Sequence, residues 1–596
     1  MGMERIQWHE WSAEAFERAR KEDKLILLDI GAVWCHWCHV MDEESYANPE
    51  IIELVNAHYV PIRVDNDERP DVNDRYNQGG WPTTVILTPE GFVVHGATYL
   101  PPATVKELLI EAREWYRENR DRVDRAAEEI AKKMAEQPQF PPVREEEPKD
   151  FSGAIVQDIK NNADPLHGGF GTTQKFPQPG AISLAFAHHH ATGDEAILDF
   201  AELTLRNMSE GLLDKEEGGL FRYSVTREWD VPHFEKNLDV NAQCLRNYLD
   251  AYRITGKREY AEAAERIIGY VFGTLADREH GGFYGSQDAD IYDEHQMKIV
   301  MTGEEYYRLP LEERRKHGTP YIDRTVFTNW NALMVSSFLD AYHVLEREDC
   351  RDFALRTLKL LTEKCRDEKG VAVHYLRNGT AGGPALLGDS VALARASLDA
   401  YEATGDNRHL GEAERLMKLA VEHLGAEDGG FYDSMFDESL PPATRIRHKP
   451  LNENALAAEV LGRLYNYTTK REYLKLGTAT VLAFEGNVLA MLERSLGYFA
   501  ADMALASRYV VDSSVKVSIV GSSEDLRSRE MLRVSKRVYH PAKIVQLLDP
   551  AEDMLLIEAM RYRPEETPVA HVCTAKGCLS PIREVEELRS LLAASA

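Results

Sequence analysis

The chain has few cysteines and little positive charge. Seven cysteines in 596 residues are too few for a disulfide framework. Seventy Lys and Arg stand against 99 Asp and Glu, a net charge of −29, which disfavours a nucleic acid or an anionic membrane as partner. No run of about 18 apolar residues is present, so no membrane span is expected. The first 24 residues are charged and amphipathic and lack the apolar core of a signal peptide, so a cytoplasmic chain is expected. What remains is a globular composition, 43% hydrophobic and 28% charged. The length exceeds the about 250–300 residues at which single cores stop growing, which predicts several domains.

Four of the cysteines form two close pairs, Cys35/Cys38 and Cys573/Cys578. Cys244, Cys350 and Cys365 fall in helix-like stretches and read as small buried hydrophobes. Around the first pair, strand-length apolar runs (24–32, 60–65, the segment after Pro82, and "FVVHGAT") alternate with helical stretches, as in an α/β fold. Cys35-His36-Trp37-Cys38-His39 matches three chemistries: a c-type haem attachment site, a zinc site and a redox dithiol. Haem attachment takes place outside the cytoplasm. Zinc needs two further ligands, which His36 or His39 cannot easily supply together with both sulfurs. The redox reading fits a strand end that leads into a helix, where the dipole and free N–H groups stabilise a thiolate. Cys35 would then attack and Cys38 resolve, with His36 favouring the thiolate. No cofactor and no metal site are expected.

The stretch 135–150 is rich in Pro and Glu and reads as a linker. Beyond it, glycine-aromatic turns recur at 167, 217, 280, 369, 428 and 496, with helices and tight turns between them. Eleven clear helices and a weak twelfth, "AADMALASRYVV", predict six helical hairpins closing into an (α/α)6 toroid, with the long loops on one face. The inner helices start with polar residues, which read as N-caps and also as the rim of a cavity. Sugar-binding candidates there are Lys175, Arg222, Tyr223, Trp229, His233, Glu235, Asp288, Asp290, Trp330, Asn331, Asp389 and His448, because aromatic faces stack on sugar rings and charged forks grip hydroxyls. The tail reads strand, helix, strand.

"LLDIGAVWCHWC" resembles the thioredoxin pattern. That resemblance implies that Asp29 is the buried acid that relays a proton to the second cysteine. It also implies that Trp34 is the conserved tryptophan, and that Pro82 in "GGWPTT" is cis and faces the sulfurs. The backbone of Trp81 would then pair with a substrate peptide. "WCHWCHVMDEESY", "VDNDERPDVNDRY", "GGLFRYSVTREWDVPHFEKN", "GGFYGSQDAD", "NWNALM" and "AHVCTAKGC" extend the resemblance over the whole chain. It resembles the thioredoxin-like proteins fused to a six-hairpin toroid, the family of the spermatogenesis-associated thioredoxin-domain proteins. The family's barrel is similar to those of glycoside hydrolases and 2-epimerases. One departure is that Asn237-Leu238-Asp239-Val240-Asn241 stands where the family carries Met-Leu-Tyr-Asp-Asn.

The expected layout is a thioredoxin-like domain (1–134), a linker (135–150), an (α/α)6 toroid (151–507) and a small C-terminal α/β element (508–596). Three functions fit. One is a thiol–disulfide oxidoreductase acting on a protein disulfide. Another is a carbohydrate-active barrel, with Glu235, Asp288, Asp290 and Asp389 as hydrolase carboxylates or His233 and His448 as epimerase acid–base groups. The third is a non-catalytic glycan- or protein-binding module under redox control.

Overall fold

In the computed structural model, residues 5–135, 147–293, 295–296, 298–435, 437–445, 447–511, 514–563, 568–574 and 576–594 are described. Most of the expected linker lies outside them. The chain divides into two compact units. The first comprises Met1–Phe140, Ser286–Asp323 and Asp433–His448, and the second Pro141–Gly285, Arg324–Tyr432 and Lys449–Ala596. Two segments embedded in the toroid's sequence therefore belong to the thioredoxin-like unit. Among the described residues, no helix is long and apolar enough to cross a membrane.

The first unit is built on β1 (Leu25–Gly31), β2 (Tyr59–Asp65), β3 (Thr83–Leu87) and β4 (Val93–Ala97), in the order β2-β1-β3-β4. β1 runs parallel to β2 and antiparallel to β3, which is antiparallel to β4. β1 is apolar on both faces because it is covered on both. Leu25 and Leu27 pack with residues of α3 (Pro49–His58) and α5 (Pro102–Glu118). Ile26, Leu28 and Ile30 pack with residues of α1 (Ala13–Glu22) and α4 (Pro70–Tyr76). α2 (His36–Met41) starts where β1 ends, and α6 (Arg120–Ala135) follows α5.

The second unit is an (α/α)6 toroid. Its twelve helices are α7 (Ser152–Asn162), α8 (Pro179–Thr192), α9 (Glu195–Gly211), α10 (Leu238–Thr255), α11 (Arg258–Tyr270), α12 (Thr328–Leu345), α13 (Glu348–Lys364), α14 (Leu387–Thr404), α15 (Asn407–Leu424), α16 (Leu451–Thr468), α17 (Arg471–Glu493) and α18 (Ala501–Val510). The even-numbered helices are the inner ring. Each packs on the next, α8-α10-α12-α14-α16-α18, and α18 closes on α8. The stretch read as a weak twelfth helix is thus the one that shuts the ring. An odd-numbered helix backs each inner one. Short turns such as those at Gly256 and Gly405 close the hairpins, with φ of 68° and 73° where a side chain would be strained.

The C-terminal element carries more than the strand, helix and strand expected. It comprises β5 (Val515–Val520), α19 (Leu526–Arg537), β6 (Lys543–Leu548), α20 (Met554–Ala559), β7 (Val569–Thr574), β8 (Gly577–Cys578) and α21 (Val585–Ala594). The sheet order is β6-β5-β7-β8, with β5 parallel to β6 and antiparallel to β7, and β7 antiparallel to β8. This is the strand plan of the first unit repeated. The loop after its first strand, "GSSED", holds no cysteine.

Candidate functional site

Cys35 and Cys38 are disulfide-bonded, with Cα atoms 5.2 Å apart, inside the usual span for such a bond. Cys35 is the N-cap of α2, and its Sγ accepts from the Cys38 N–H at 3.2 Å. The first sulfur therefore sits at the positive end of α2, held by the N–H of Cys38. A Cβ added to Gly31, at the end of β1, would lie 3.4 Å from Cys38 Sγ. The side chain two residues back on the same face is Asp29. The Trp81–Pro82 bond is cis. Trp34 is buried, donates from Nε1 to Asp67 at 2.6 Å, and meets the Trp81 ring edge-on at 5.8 Å. Trp37, between the cysteines, is 47% exposed.

Asp29 is only 4% exposed. Burial pushes its carboxyl up to about 6 from an ordinary 3.8, although Arg63, donating at 2.7 Å, pulls the other way. Arg63 is shared with Asp42 and so only partly neutralises Asp29. An acid that titrates within about one pH unit of neutral is suited to relaying a proton.

The other side of α2 is faced by the first inserted segment. His36 Nδ1 lies 2.7 Å from Asp290 Oδ2, and the two nitrogens of buried His39 lie 3.5 Å from Asp288 and Asp290 respectively. Burial opposes charge on Asp290, but His36 and His39 outweigh it and hold the carboxyl well below its ordinary range. Asp288 and Asp290, taken from the sequence as barrel carboxylates, thus sit in the thioredoxin-like unit beside the redox turn. His448 also belongs to that unit, where its N–H reaches Asp433.

In the second unit, a cavity of about 440 Å³ runs along the inner helices. Of the toroid candidates, Trp330 lines it. Several of the others hold loops. Lys175, fully buried, donates to Asp164 and the Gly168 carbonyl, both at 2.9 Å. Lys236 does the same to Asp214 (2.7 Å) and Gly218 (3.0 Å), and Lys449 to Asp428 and Gly429. A second clamp repeats one turn inside three inner helices. Asn241, Asn331 and Asn454 each accept from the backbone N–H of Leu220, Phe283 and Phe431 at 2.7 Å and donate back to the same residue's carbonyl. The polar starts of the inner helices, read from the sequence as caps, thus hold loops through these asparagines instead. The caps are Asn237, Phe327 and Pro450, none with a side-chain cap bond.

The glycine-aromatic loops at 214–220 and 428–431 are therefore pinned from one side by Lys and from the other by Asn, the loop at 164–168 by Lys and the loop at Phe283 by Asn. Trp229 is buried, with Nε1 donating to the His167 carbonyl at 2.9 Å. Glu235, fully buried, bridges Arg222 and His233. Burial resists its charge, but those two neighbours pull its carboxyl down to about 2. Tyr223 stacks on His233 and Phe176. Asp389 is paired with His374 at 3.0 Å.

The carboxyls that line the cavity escaped the sequence reading, and two of them stand out. Asp239 and Asp502, in the first turns of α10 and α18, both line the cavity. Burial pushes each up to about 6. Asp239 Oδ1 has no hydrogen-bond partner. The signal for Asp239 was its departure from the family pattern, an acid one position early. Asp502 gave no signal beyond its place at a helix start. Deeper in the cavity the charges are paired: Arg246 with Asp340 at 3.0 Å, Arg253 with Asp250 at 2.7 Å and Arg463 with Asp399 at 2.7 Å.

Residues 2–135 match the family described as "Thioredox_DsbH: Protein of unknown function, DUF255". The chain is 26% identical to human spermatogenesis-associated protein 20 over 714 residues, covering 98% of this chain and 90% of that protein. An 88-residue stretch, 14% of this chain and 22% of the relative, is 36% identical to a cellobiose 2-epimerase of Bacteroides fragilis. A solved cellobiose 2-epimerase from Bacillus thermoamylovorans overlays with a TM-score of 0.45 at 13% identity, covering 56% of this chain and 87% of that one. The chain thus matches a thioredoxin-like family over residues 2–135 and resembles the spermatogenesis-associated thioredoxin-domain proteins along almost its whole length.

Proposed function

We propose that the first unit is a thiol–disulfide oxidoreductase acting on protein disulfides. The Cys35 thiolate attacks one sulfur of the substrate disulfide, giving a mixed disulfide and releasing the other substrate sulfur as a thiolate. Cys38 gives up its proton, with Asp29 as acceptor, and attacks Cys35 Sγ. The second substrate thiol leaves, and the Cys35–Cys38 disulfide remains. The substrate gains two electrons, and an external dithiol restores the enzyme. The observation that carries this reading is the pair itself, able to bond across one helical turn with Cys35 at the N-cap of α2. The test is turnover of an insulin-type disulfide with dithiothreitol as reductant. Cys35→Ser should abolish it, and Cys38→Ser should accumulate a mixed disulfide that the reductant releases. Equal turnover by wild type and Cys35→Ser refutes the reading.

A second reading concerns the toroid. Asp239 and Asp502, both held near neutral pH and both facing the cavity, suit general acid–base work on a sugar. A sugar panel assayed by mass change and by isomer composition tests it. Turnover that survives Asp239→Asn with Asp502→Asn rules these two groups out.

A further inference from the structure

Behind the redox turn, three side chains from distant parts of the chain meet. His39 is one helical turn beyond Cys35, and Asp288 and Asp290 come from the Ser286–Asp323 segment. They are 5%, 2% and 1% exposed. One ligand atom from each lies within 4.8 Å of the other two.

The hydrogen bonding of His39 is lopsided. Nε2 is 3.2 Å from the Val33 carbonyl oxygen, which can only accept, so the proton sits on Nε2. Nδ1 is buried and makes no hydrogen bond. It lies 3.5 Å from Asp290 Oδ2, while Asp288 Oδ2 lies 3.5 Å from Nε2, so the Asp288 carboxylate must swing towards Nδ1 to share an ion with Asp290. The imidazole plane is fixed by the Tyr292 ring, stacked at 4.1 Å. One oxygen of each carboxylate is held by a backbone N–H. Asp290 Oδ1 accepts from the Gly303 N–H at 2.8 Å, and Asp288 Oδ1 from the Asp290 N–H at 3.1 Å.

A carboxylate facing Nδ1 calls for a positive centre between them, a proton or a metal ion, and the distance discriminates between the two. The gap of 3.5 Å is longer than an N–H···O bond, about 2.7–3.2 Å. It is close to the edge of a tetrahedron around a metal with N and O ligands at about 2.0–2.2 Å, roughly 3.4 Å. A backbone carbonyl on the far nitrogen and hydrogen bonds behind the carboxylates are the supports that metal ligands usually have.

We infer that His39, Asp288 and Asp290 form a binding site for a divalent first-row transition cation of the zinc class, separate from the two cysteines. One imidazole and two carboxylates favour such an ion, and the dication offsets two buried negative charges. His36, on Asp290, stands in the second layer. The inference is independent of the redox reading, because neither sulfur is a ligand.

The test uses the full chain, stripped with a chelator, dialysed against Zn²⁺, desalted and measured by elemental mass spectrometry. Wild type should hold about one zinc per chain, and so should the Cys35→Ser/Cys38→Ser variant. His39→Gln and Asp290→Asn should bind at least tenfold more weakly, with unchanged circular dichroism. Loading with Co²⁺ should give visible d–d bands and no sulfur-to-cobalt charge-transfer band. Should the substituted chains misfold, the wild type still decides the matter, since less than a tenth of a zinc per chain overturns the inference. Loss of the metal with the cysteines would assign it to the thiolates and overturn it equally, as would full retention by both ligand variants.

Discussion

Asp29 gives the sharpest quantitative handle on the redox unit. Its carboxyl sits at about 6 in the folded chain against an ordinary 3.8. The folded state therefore holds the proton more tightly than the unfolded state. Stability from this group is full below pH 3.8, falls as pH rises through 6, and is flat above. The gap of about 2.2 pH units corresponds to about 3 kcal/mol at 1.36 kcal/mol per unit. Because Asp29 is 4% exposed, no discount for screening applies. Asn has no charge to suppress. The stability of Asp29→Asn relative to wild type should therefore rise by about 2–3 kcal/mol between pH 4 and pH 8. Any fixed effect on Arg63 cancels in that difference.

The assay is urea unfolding followed by tryptophan fluorescence at pH 4, 5, 6, 7 and 8. Six of the eight tryptophans, Trp8, Trp11, Trp34, Trp37, Trp81 and Trp115, lie in the first 134 residues, so the signal reports chiefly on this unit. A variant-to-wild-type gap that stays constant from pH 4 to pH 8 refutes the reasoning, because Asp29 would then titrate alike folded and unfolded.

Three further outcomes are expected. Glu235 is depressed to about 2 from 4.5, so it contributes about 3 kcal/mol that is present above pH 4.5 and lost as pH falls towards 2. Glu235→Gln should remove that acid dependence from the toroid's unfolding, read by far-ultraviolet circular dichroism, and should cost about 3–5 kcal/mol at pH 7 by stranding Arg222 and His233. Asn331→Ala leaves the Phe283 N–H and carbonyl without partners in a buried loop and should cost about 2–4 kcal/mol in the same measurement. If the toroid turns over a sugar, its rate should follow an ionisation near pH 6 that disappears when both Asp239→Asn and Asp502→Asn are made.

The redox turn was legible in the sequence because its chemistry is local. Cys35, Cys38, Asp29 and Trp34 lie within ten residues, and a strand followed by a helix fixes their relation. Asp288 and Asp290 were misplaced because nothing in "GSQDAD" tells which body an inserted segment joins. The segment lies some 250 residues from α2 and packs back onto it. Lys175, Asn331 and Trp229 read as sugar ligands because polar and aromatic residues beside glycine loops look the same whether they grip a ligand or the loop itself. Only the recurrence of Lys and Asn at matching places in successive hairpins, seen once the helices are placed, reveals the clamp. The repeated strand plan at the C-terminus went unread because strand order is set by pairing between distant segments and leaves no local mark.

The charged well inside the helical ring is not walled by the ring alone. Lys536, Tyr539, His540 and Lys543, from the end of α19 to the start of β6, also line it. The C-terminal element thus adds two lysines and a histidine to a well rich in carboxylates from the helices, so a change in that element alters the charge met by whatever enters the ring.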